Sequence, residues 1–504
     1  MRNFISPIID LEDAIKFRDC ILGYGHFNSI HPGHIRYLKH AKDKNNIFVV
    51  AILKNFSSNS IVFSQNERAV SLSQLGIADA IVLLPNNSLN NAVQKIKPKE
   101  VILGKEYENS EIEDIKDTLK TLKNEKKSIF FHAGEISYVT SELLTVSESS
   151  LQIKREKEFL KALNRQNITI DNLVEAGTNI KNSKLLVIGD TILDQYTACE
   201  ALGMSAEAPV IVVKELEQKS FLGGASIVAS HIASLGSDCK FVSIIGDDEQ
   251  GSWVKQSLLE NSVESDLFID KTRPTTFKKR YIVENQKLFR VSRLDDHLIN
   301  KELTNKILNK IYSIADEVDG IIISDFAYGL ITNRLLDGLV NFAKDKNINL
   351  YGDSQCSSQI ANISRMQNFT LLCPNEKEAR LSLQAKDIGL DELCRNLISK
   401  TKSQNLIMKL GADGFVVYAK DENNDFRIQA FPALSVNPLD VTGAGDTLLS
   451  IMAAGMSSNS SIMSVAALAC CGASISVNTM GNKPIDIESV LDKAIKIVKN
   501  QQEC

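Results

Sequence analysis

The chain carries no CxxC pair and no Cys/His cluster at zinc-ligand spacing. Its nine cysteines are scattered, apart from the adjacent Cys470 and Cys471, which excludes a zinc ribbon and a disulfide scaffold. No uninterrupted apolar run is long enough to span a bilayer, since the nearest candidate, Ser461 to Val477, is interrupted by Gly and Ser and reads as a buried helix. The first residues, MRNFISPIIDLEDAIKF, lack a basic, apolar, small-residue export pattern, so the expectation is a cytoplasmic protein with reduced thiols. There is no excess of positive charge either. A net charge of -5 and a pI near 5.9 argue against a general nucleic-acid or anionic-membrane binder, while small phosphorylated ligands need only local positive charge. Internal repeats and low-complexity tracts are also missing.

What is present is an ordinary globular composition, 43% hydrophobic and 24% charged, over 504 residues. That length predicts two or three domains. Near the C-terminal end, Asp440 to Thr447 reads DVTGAGDT and runs into the apolar stretch LLSIMAAG. Three small residues, Gly443, Ala444 and Gly445, let backbone N–H groups approach a phosphate, and the helix expected to follow adds the positive end of its dipole. Asp446 then stands beside that phosphate as a candidate base. An anion hole plus a carboxylate is what transfer of a γ-phosphoryl group to a sugar hydroxyl requires. The alternative is a Gly-rich turn with a capping aspartate.

Near the other end, four of the seven histidines (His26, His31, His34, His40) fall in one short window around GYGHFNSIHPGH. His31 and His34, three apart at an expected helix start, project from one face over the positive helix end. Such a pair can stabilise charge on an α-phosphate and a departing pyrophosphate; a metal site is the competing reading, without a third ligand at suitable spacing.

This stretch resembles the GxFDxxHxGH signature of the cytidylyltransferase-like nucleotidyltransferases. FVVAILKN resembles the second strand of that fold, NERA its arginine-bearing helix start with Arg68, and VILGKEYE the later strand and loop with Lys105. The resemblance implies that Gly23, Gly25, Phe27, Asn28, Arg68 and Lys105 bind nucleotide or phosphate and that His31 and His34 are catalytic. Thr140 and Ser141 in YVTSELL stand where the family has a Ser/Thr-rich helix start touching the triphosphate. Asn28 departs from the usual Asp. The implied reaction is direct attack of a sugar 1-phosphate on the α-phosphate of a nucleoside triphosphate. Lys54 either assists the triphosphate or is solvated, and the charged stretch from Glu111 to Lys127 reads as a solvated helix.

The expected domains are a nucleotidyltransferase over residues 1–150, a polar helical linker over 151–182 and a second domain over 183–500. The second opens with LLVIGDTILDQY, carrying Asp190 and Asp194, and continues to FLGGASIVASHIASLG, with Gly223 and Gly224. Alternating strand and helix patterns (IIISDFAYG, INLYGDS, FTLLCPNEKEA, NLIMKLGADGFVVY) predict a parallel sheet flanked by helices. The GGA turn, its spacing to Gly236 and Gly246, and DVTGAGDT together resemble the two signatures of the PfkB or ribokinase-like sugar kinases. The match is nearest to the kinase half of the bifunctional heptose 7-phosphate kinase / heptose 1-phosphate adenylyltransferases, whose two domains come in the opposite order.

The fold implied is α/β, a Rossmann-like nucleotidyltransferase followed by a ribokinase-like α/β sandwich with a small β lid. Asp446 would be the base, and Gly443, Ala444 and Gly445 would shape the anion hole. Asn375 and Glu378 would organise the water shell of Mg²⁺ and phosphate, with Glu378 an indirect Mg²⁺ contact, and Gly411 and Gly414 would border ATP. Asp194, Lys278, Arg280, Gln286 and Arg290 would face the sugar phosphate, with Asp190, Gly223, Gly224 and Asp440 beside them; for Lys278, Arg280 and Arg290 a solvated lid face is the alternative. Three departures bear on substrate choice: Ile227 replaces an Asn of the first signature, and Tyr328 and Gln355 stand where heptose kinases commonly have lysine. The expected ligands are a sugar or sugar phosphate, ATP and Mg²⁺, with no nucleic acid and no membrane, and a homodimer follows from analogy with lid-paired kinases. The product would be an NDP-sugar for lipopolysaccharide or another surface glycan. The alternatives are that only one domain is active or that the kinase acts on a different sugar.

Overall fold

The computed structural model describes residues 6–27, 38, 42, 47–54, 63–104, 107, 112–124, 127–132, 148–207, 210–284, 286–355, 362–385, 387–421 and 425–500. The chain divides into two compact units, Met1–Ser149 with Ala385–Leu393, and Ser150–Gln384 with Cys394–Cys504.

In the first unit, β1 (Ile8–Asp10), β2 (Ile21–Gly25), β3 (Phe48–Ile52), β4 (Ala80–Leu83), β5 (Glu100–Gly104) and β6 (Ser128–His132) form one sheet. Its order is β1-β4-β3-β2-β5-β6, and every pairing is parallel. Both faces are covered. Along β3, Phe48, Val50 and Ile52 join one buried cluster, while Val49 and Ala51 join the other, which is why the strand reads as a continuous apolar run rather than an alternation. The chain turns from β2 toward β3 and β4 on one side, and places β5 and β6 on the other. Carboxyl ends of strands at such a reversal form a ligand crevice, and the GYGHF stretch sits at one of them.

The second unit contributes β7 (Lys184–Gly189), β8 (Thr191–Met204), β9 (Ile211–Gly224), β10 (Asp238–Ile245), β11 (Glu264–Ile269), β12 (Phe277–Val283), β13 (Gln286–Arg293), β14 (Gly320–Asp325), β15 (Asn349–Ser354), β16 (Leu371–Leu372), β17 (Asn405–Lys409), β18 (Phe415–Lys420) and β19 (Phe426–Phe431). Nine of them form a sheet in the order β11-β10-β7-β14-β15-β16-β17-β18-β19. It is parallel from β11 to β17, and β18 and β19 extend it antiparallel. The other four form a separate sheet, β13-β12-β8-β9, the small lid that the resemblance implied. Along β13 every residue but Leu288 is exposed, and the sheet carries the residues expected to face the sugar.

Most of residues 151–182 lies in two helices, Glu148–Arg165 and Ile170–Ile180. Their apolar side chains Phe159, Ala162, Leu163, Leu173, Ala176 and Ile180 belong to the core of the second unit. The Lys/Glu-rich pattern therefore covers the outer face of two helices whose inner face is packed. Truncating fully buried Phe159 to Ala should cost about 3–5 kcal/mol of unfolding free energy, read by chemical denaturation of the whole chain; a loss below about 1 kcal/mol would mean that this helix does not contribute to the core.

Candidate active site

Within DVTGAGDT, Gly443 sits in the left-handed region (φ 83°) as the N-cap of the Ala444–Ser457 helix. A β-carbon there would lie 2.6 Å from Asn482 Oδ1, so glycine is required by both conformation and space. Asp446, in the first helical turn, is buried. Beneath it, the backbone N–H of Ile485 donates to His231 Nδ1 at 3.3 Å. The ring proton therefore sits on Nε2, 3.0 Å from Thr447 Oγ1. Burial pushes His231 down to about 3, so the ring stays neutral and anchors the helix start.

Two strand ends converge on Asp446. Asp353, at the end of β15, is fully buried and pairs with Lys409 Nζ at 2.6 Å, from the last residue of β17. Gln355 donates from Nε2 to Asp446 Oδ1 at 2.7 Å. Burial, and then the charge of Asp353, raise the Asp446 carboxyl to about 7 against the opposing pull of Lys409 and the Gln355 bond. For Lys409 burial acts downward, but the carboxylates of Asp353 and Glu378 outweigh it and raise the ammonium above its usual range. A β-carbon on Gly445 would lie 3.2 Å from Lys409 Nζ, which places this ammonium beside the small-residue turn.

Asn375 and Glu378 cap the Glu376–Leu383 helix reciprocally: Glu378 N donates to Asn375 Oδ1 at 2.9 Å and Asn375 N donates to Glu378 Oε2 at 2.8 Å. The cap lies next to Lys409, whose N–H donates to Pro374 O at 2.9 Å. Gly411 (φ 63°) has open space where a side chain would stand. Gly414 (φ 89°) packs so closely that a β-carbon would meet Phe431 O at 2.0 Å.

On the lid side, Arg280 of β12 pairs with the buried Asp194 of β8, and Asn482 Nδ2 donates to Leu222 O at 3.2 Å and lies 3.4 Å from Asp194 Oδ2. Gly223 makes room for this group, since a β-carbon on it would lie 2.7 Å from Asp194 Oδ2. Gly224 (φ 63°) starts the next helix. Lys278 is buried, with its ammonium 5.1 Å from the Tyr328 ring centroid and 5.8 Å from that of Phe326, within cation–π range. Asp440 accepts from Tyr196 Oη at 2.6 Å, Lys287 Nζ at 2.8 Å and Thr442 Oγ1 at 2.7 Å. Burial alone would raise this carboxyl; these bonds outweigh it and hold it at about 2. Gln286 and Arg290, on β13, are exposed.

Two residues expected to meet ligands are placed otherwise. Asp190 is buried and accepts from the backbone N–H groups of Phe326, Tyr328 and Leu330 at 3.0, 3.2 and 3.3 Å, so it organises the SDFAYG loop rather than facing the sugar. Arg68 is 1% exposed. Its guanidinium donates to the carbonyls of His26, Leu53 (2.8 Å) and Phe63 (3.3 Å), tying together the chain after β2 and β3. Of the remaining transferase positions, Gly23 and Gly25 lie in β2, Phe27 is buried with φ 50°, and Lys54 is exposed. Asn28, His31, His34, Lys105, Thr140 and Ser141 lie outside the described residues. Ile227, in place of the signature Asn, is fully buried in the core.

Residues 182–488 match the pfkB family of carbohydrate kinases. The chain belongs to that family. Residues 22–156 match the cytidylyltransferase-like family, so this pfkB family member carries a cytidylyltransferase-like domain ahead of its kinase-family domain. It is 34% identical over 312 residues to the bifunctional protein HldE of Helicobacter hepaticus, covering 61% of this chain and 62% of the relative. It is 30% identical over 331 residues to HldE of Campylobacter jejuni strain RM1221, covering 64% and 67%. The chain thus spans less than two thirds of the Helicobacter relative's length. The phosphofructokinase-2 of Escherichia coli in complex with potassium superposes with a TM-score of 0.53 at 16% identity, over 63% of this chain and 99% of that one, which shows the fold. Among the described residues no helix is long and apolar enough to cross a membrane.

The pfkB signatures locate Asp446 and its turn, but not Asp353, Lys409, Lys287, Tyr196, His231 or Asn482. Two of these carried a faint signal, a lone charge at the end of an apolar strand: Asp353 in NLYGDS and Lys409 in NLIMK. Replacing Asp353 by Asn would leave the Lys409 ammonium buried without its counter-charge, and should cost about 3–5 kcal/mol. Chemical denaturation at neutral pH measures this, and a change below about 1 kcal/mol would mean that Glu378 and Asp446 suffice to balance the lysine.

Proposed function

We propose that the chain is a bifunctional sugar-activating enzyme. Its second unit transfers the γ-phosphoryl group of ATP to the anomeric oxygen of a sugar, with heptose 7-phosphate the leading candidate. In its first unit a phosphate oxygen of the resulting sugar 1-phosphate then bonds to the α-phosphorus of a nucleoside triphosphate as the bond from that phosphorus to the departing pyrophosphate breaks. The product is an NDP-sugar of the ADP-heptose type, suited to lipopolysaccharide or other surface-glycan synthesis in the cytoplasm. The observation that carries the kinase half is Asp446, buried at a helix N-terminus beside a small-residue turn and a lysine ammonium.

In that reading the sugar hydroxyl gives its proton to Asp446 as its oxygen bonds to the γ-phosphorus, and the bond to the β,γ-bridging oxygen of ATP breaks. The backbone around Gly443 to Gly445, the helix dipole and Lys409 offset the charge on the transferring group. The oxygen-rich donors at this end suit Mg²⁺. Glu378, one oxygen of which already accepts from Asn375 N, would hold it only through water. When bound, Mg²⁺ would neutralise triphosphate charge.

Tyr328 favours a second reading of the substrate. Its ring faces Lys278 where heptose kinases commonly carry a lysine, so one charge-assisted contact to a sugar phosphate is missing, roughly 1.5–3 kcal/mol. An acceptor other than heptose 7-phosphate follows if that contact is not replaced.

Phosphorus NMR with Mg-ATP and heptose 7-phosphate, then a panel of unphosphorylated sugars, should show a new anomeric phosphate that converts to a pyrophosphate diester. Asp446→Asn should lower kinase turnover by about 10²–10⁴-fold and leave nucleotidyl transfer intact, with the reverse for His31→Ala or His34→Ala. Full kinase activity in Asp446→Asn would refute the assigned base.

The lid supports a homodimer. Leu202, Met204, Ile211, Leu216, Phe289 and Val291 of this sheet are each half exposed or more, an apolar surface of the kind covered in protein interfaces. Light scattering should give twice the chain mass, and Leu216→Glu should give a monomer. An unchanged mass in that variant would place any dimer contact elsewhere.

A further inference from the structure

Gln355 stands at a position where lysine is common in heptose kinases, which the sequence alone reads as a lost sugar-phosphate contact. Its surroundings give it a different task. It follows β15, held by its N–H donating to Asp325 O at 2.9 Å, and its side-chain amide lies between two carboxylates. Nε2 is 2.7 Å from Asp446 Oδ1 and 3.5 Å from Asp353 Oδ2. Both neighbours are acceptors, so the amide must present its NH₂ group to them. Asp353 already has Lys409 at 2.6 Å. Among the described residues, the Gln355 bond is the only side-chain hydrogen bond to the Asp446 carboxylate, and it engages Oδ1 alone.

We infer that Gln355 is the positioning residue of the kinase base: it fixes the Asp446 carboxylate through Oδ1, turns Oδ2 toward the acceptor hydroxyl, and stabilises the ionised form. This rests on the assignment of Asp446 as base. A lysine at position 355 would add a cation to the same site, while a glutamine supplies direction without charge. The other charged groups that act on Asp446 are Asp353, Lys409 and Asp194; Asp194 is paired with Arg280, and Glu378 acts on Lys409. Gln355 is the neutral member of this array, so replacing it changes Asp446 without removing an existing ion pair.

The test compares Gln355→Met, which keeps the length and removes the donor, with Gln355→Lys, which adds charge. A carboxyl raised in the folded state stabilises at low pH, and that stability is lost as pH rises through its folded pKa; for Asp446 the window runs from about 4 to about 7. Thermal unfolding at pH 5 and pH 8 therefore reads the site without any substrate. From pH 5 to pH 8 Gln355→Met should lose more stability than the native chain and Gln355→Lys less, and both differences should vanish in an Asp446→Asn background. In the kinase assay with Mg-ATP and heptose 7-phosphate, the acid limb of kcat should move up by about one pH unit in Gln355→Met and down in Gln355→Lys. Identical pH dependence in all three proteins would overturn the inference, as would a uniform loss of rate with an unmoved limb. If one variant fails to fold, the other decides. Retained kinase activity in Asp446→Asn would instead refute the assignment of the base.

Discussion

The kinase site depends on one buried ammonium. Asp353, Glu378 and Asp446 are all withdrawn from water, and each would protonate or repel its neighbours if no cation stood among them. Lys409 supplies that cation, 2.6 Å from Asp353 and beside the Gly445 turn. Its position follows from sheet register: the strand before it pairs with β16 and β18, and the chain at Asn375 bridges to Lys409 itself. A phosphate arriving at the helix start meets a positive charge that is already placed, together with the positive end of the helix dipole. Little reorganisation then accompanies the reaction, which is the form of electrostatic stabilisation that accelerates phosphoryl transfer most.

The same economy explains the geometry around Asp446. As the proposed base, Asp446 must be ionised when the sugar arrives, yet its surroundings favour the protonated form, and burial is the largest cause. The opposing groups, Lys409 and the amide of Gln355, bring it near neutrality rather than to the usual carboxylate range. A base poised there combines a useful ionised fraction with a strong pull on the hydroxyl proton. His231, Thr447 and the backbone of Ile485 hold the helix start in place, and the Gln355 amide bonds to the carboxylate itself.

Much of this was legible in the sequence where the information is local. The alternation of apolar strands and helices in the second domain pointed to its mainly parallel sheet, the motif resemblance to that of the first, and DVTGAGDT to the turn, the helix start and Asp446, because a left-handed glycine and an N-terminal carboxylate are properties of adjacent residues. Convergence was not legible. Asp353 and Lys409 come to Asp446 from the ends of two strands far apart in the chain, and each of the two alone looks like a charge at the end of an apolar strand. Asp190 shows the converse error. Its place in a signature suggested a ligand contact, whereas its carboxylate satisfies three backbone N–H groups of a loop, a role that only the loop's conformation reveals. Arg68 likewise matched a motif by position but is enclosed by carbonyls. The Lys/Glu-rich segment before the kinase domain looked like a connector because charge marks the solvated face of a helix and says nothing of the other.

The lid carries the remaining constraint on substrate choice. Its cations are already engaged: Arg280 with Asp194, Lys287 with Asp440, Lys278 with two aromatic faces. A phosphate on the sugar could draw them only by separating them from partners that are themselves buried, and leaving Asp194 or Asp440 unpaired would cost more than the new contact gains unless the sugar's hydroxyls replaced the lost donors. Asp440 is the more firmly held, with three side-chain donors and a carboxyl at about 2, so it belongs to the joint between lid and anion turn. Asp194 has one cation and one amide. It is therefore the group a sugar can engage at least cost, and in the proposed reaction the choice of sugar would rest on the fit between its hydroxyls and the Asp194–Arg280–Asn482 cluster.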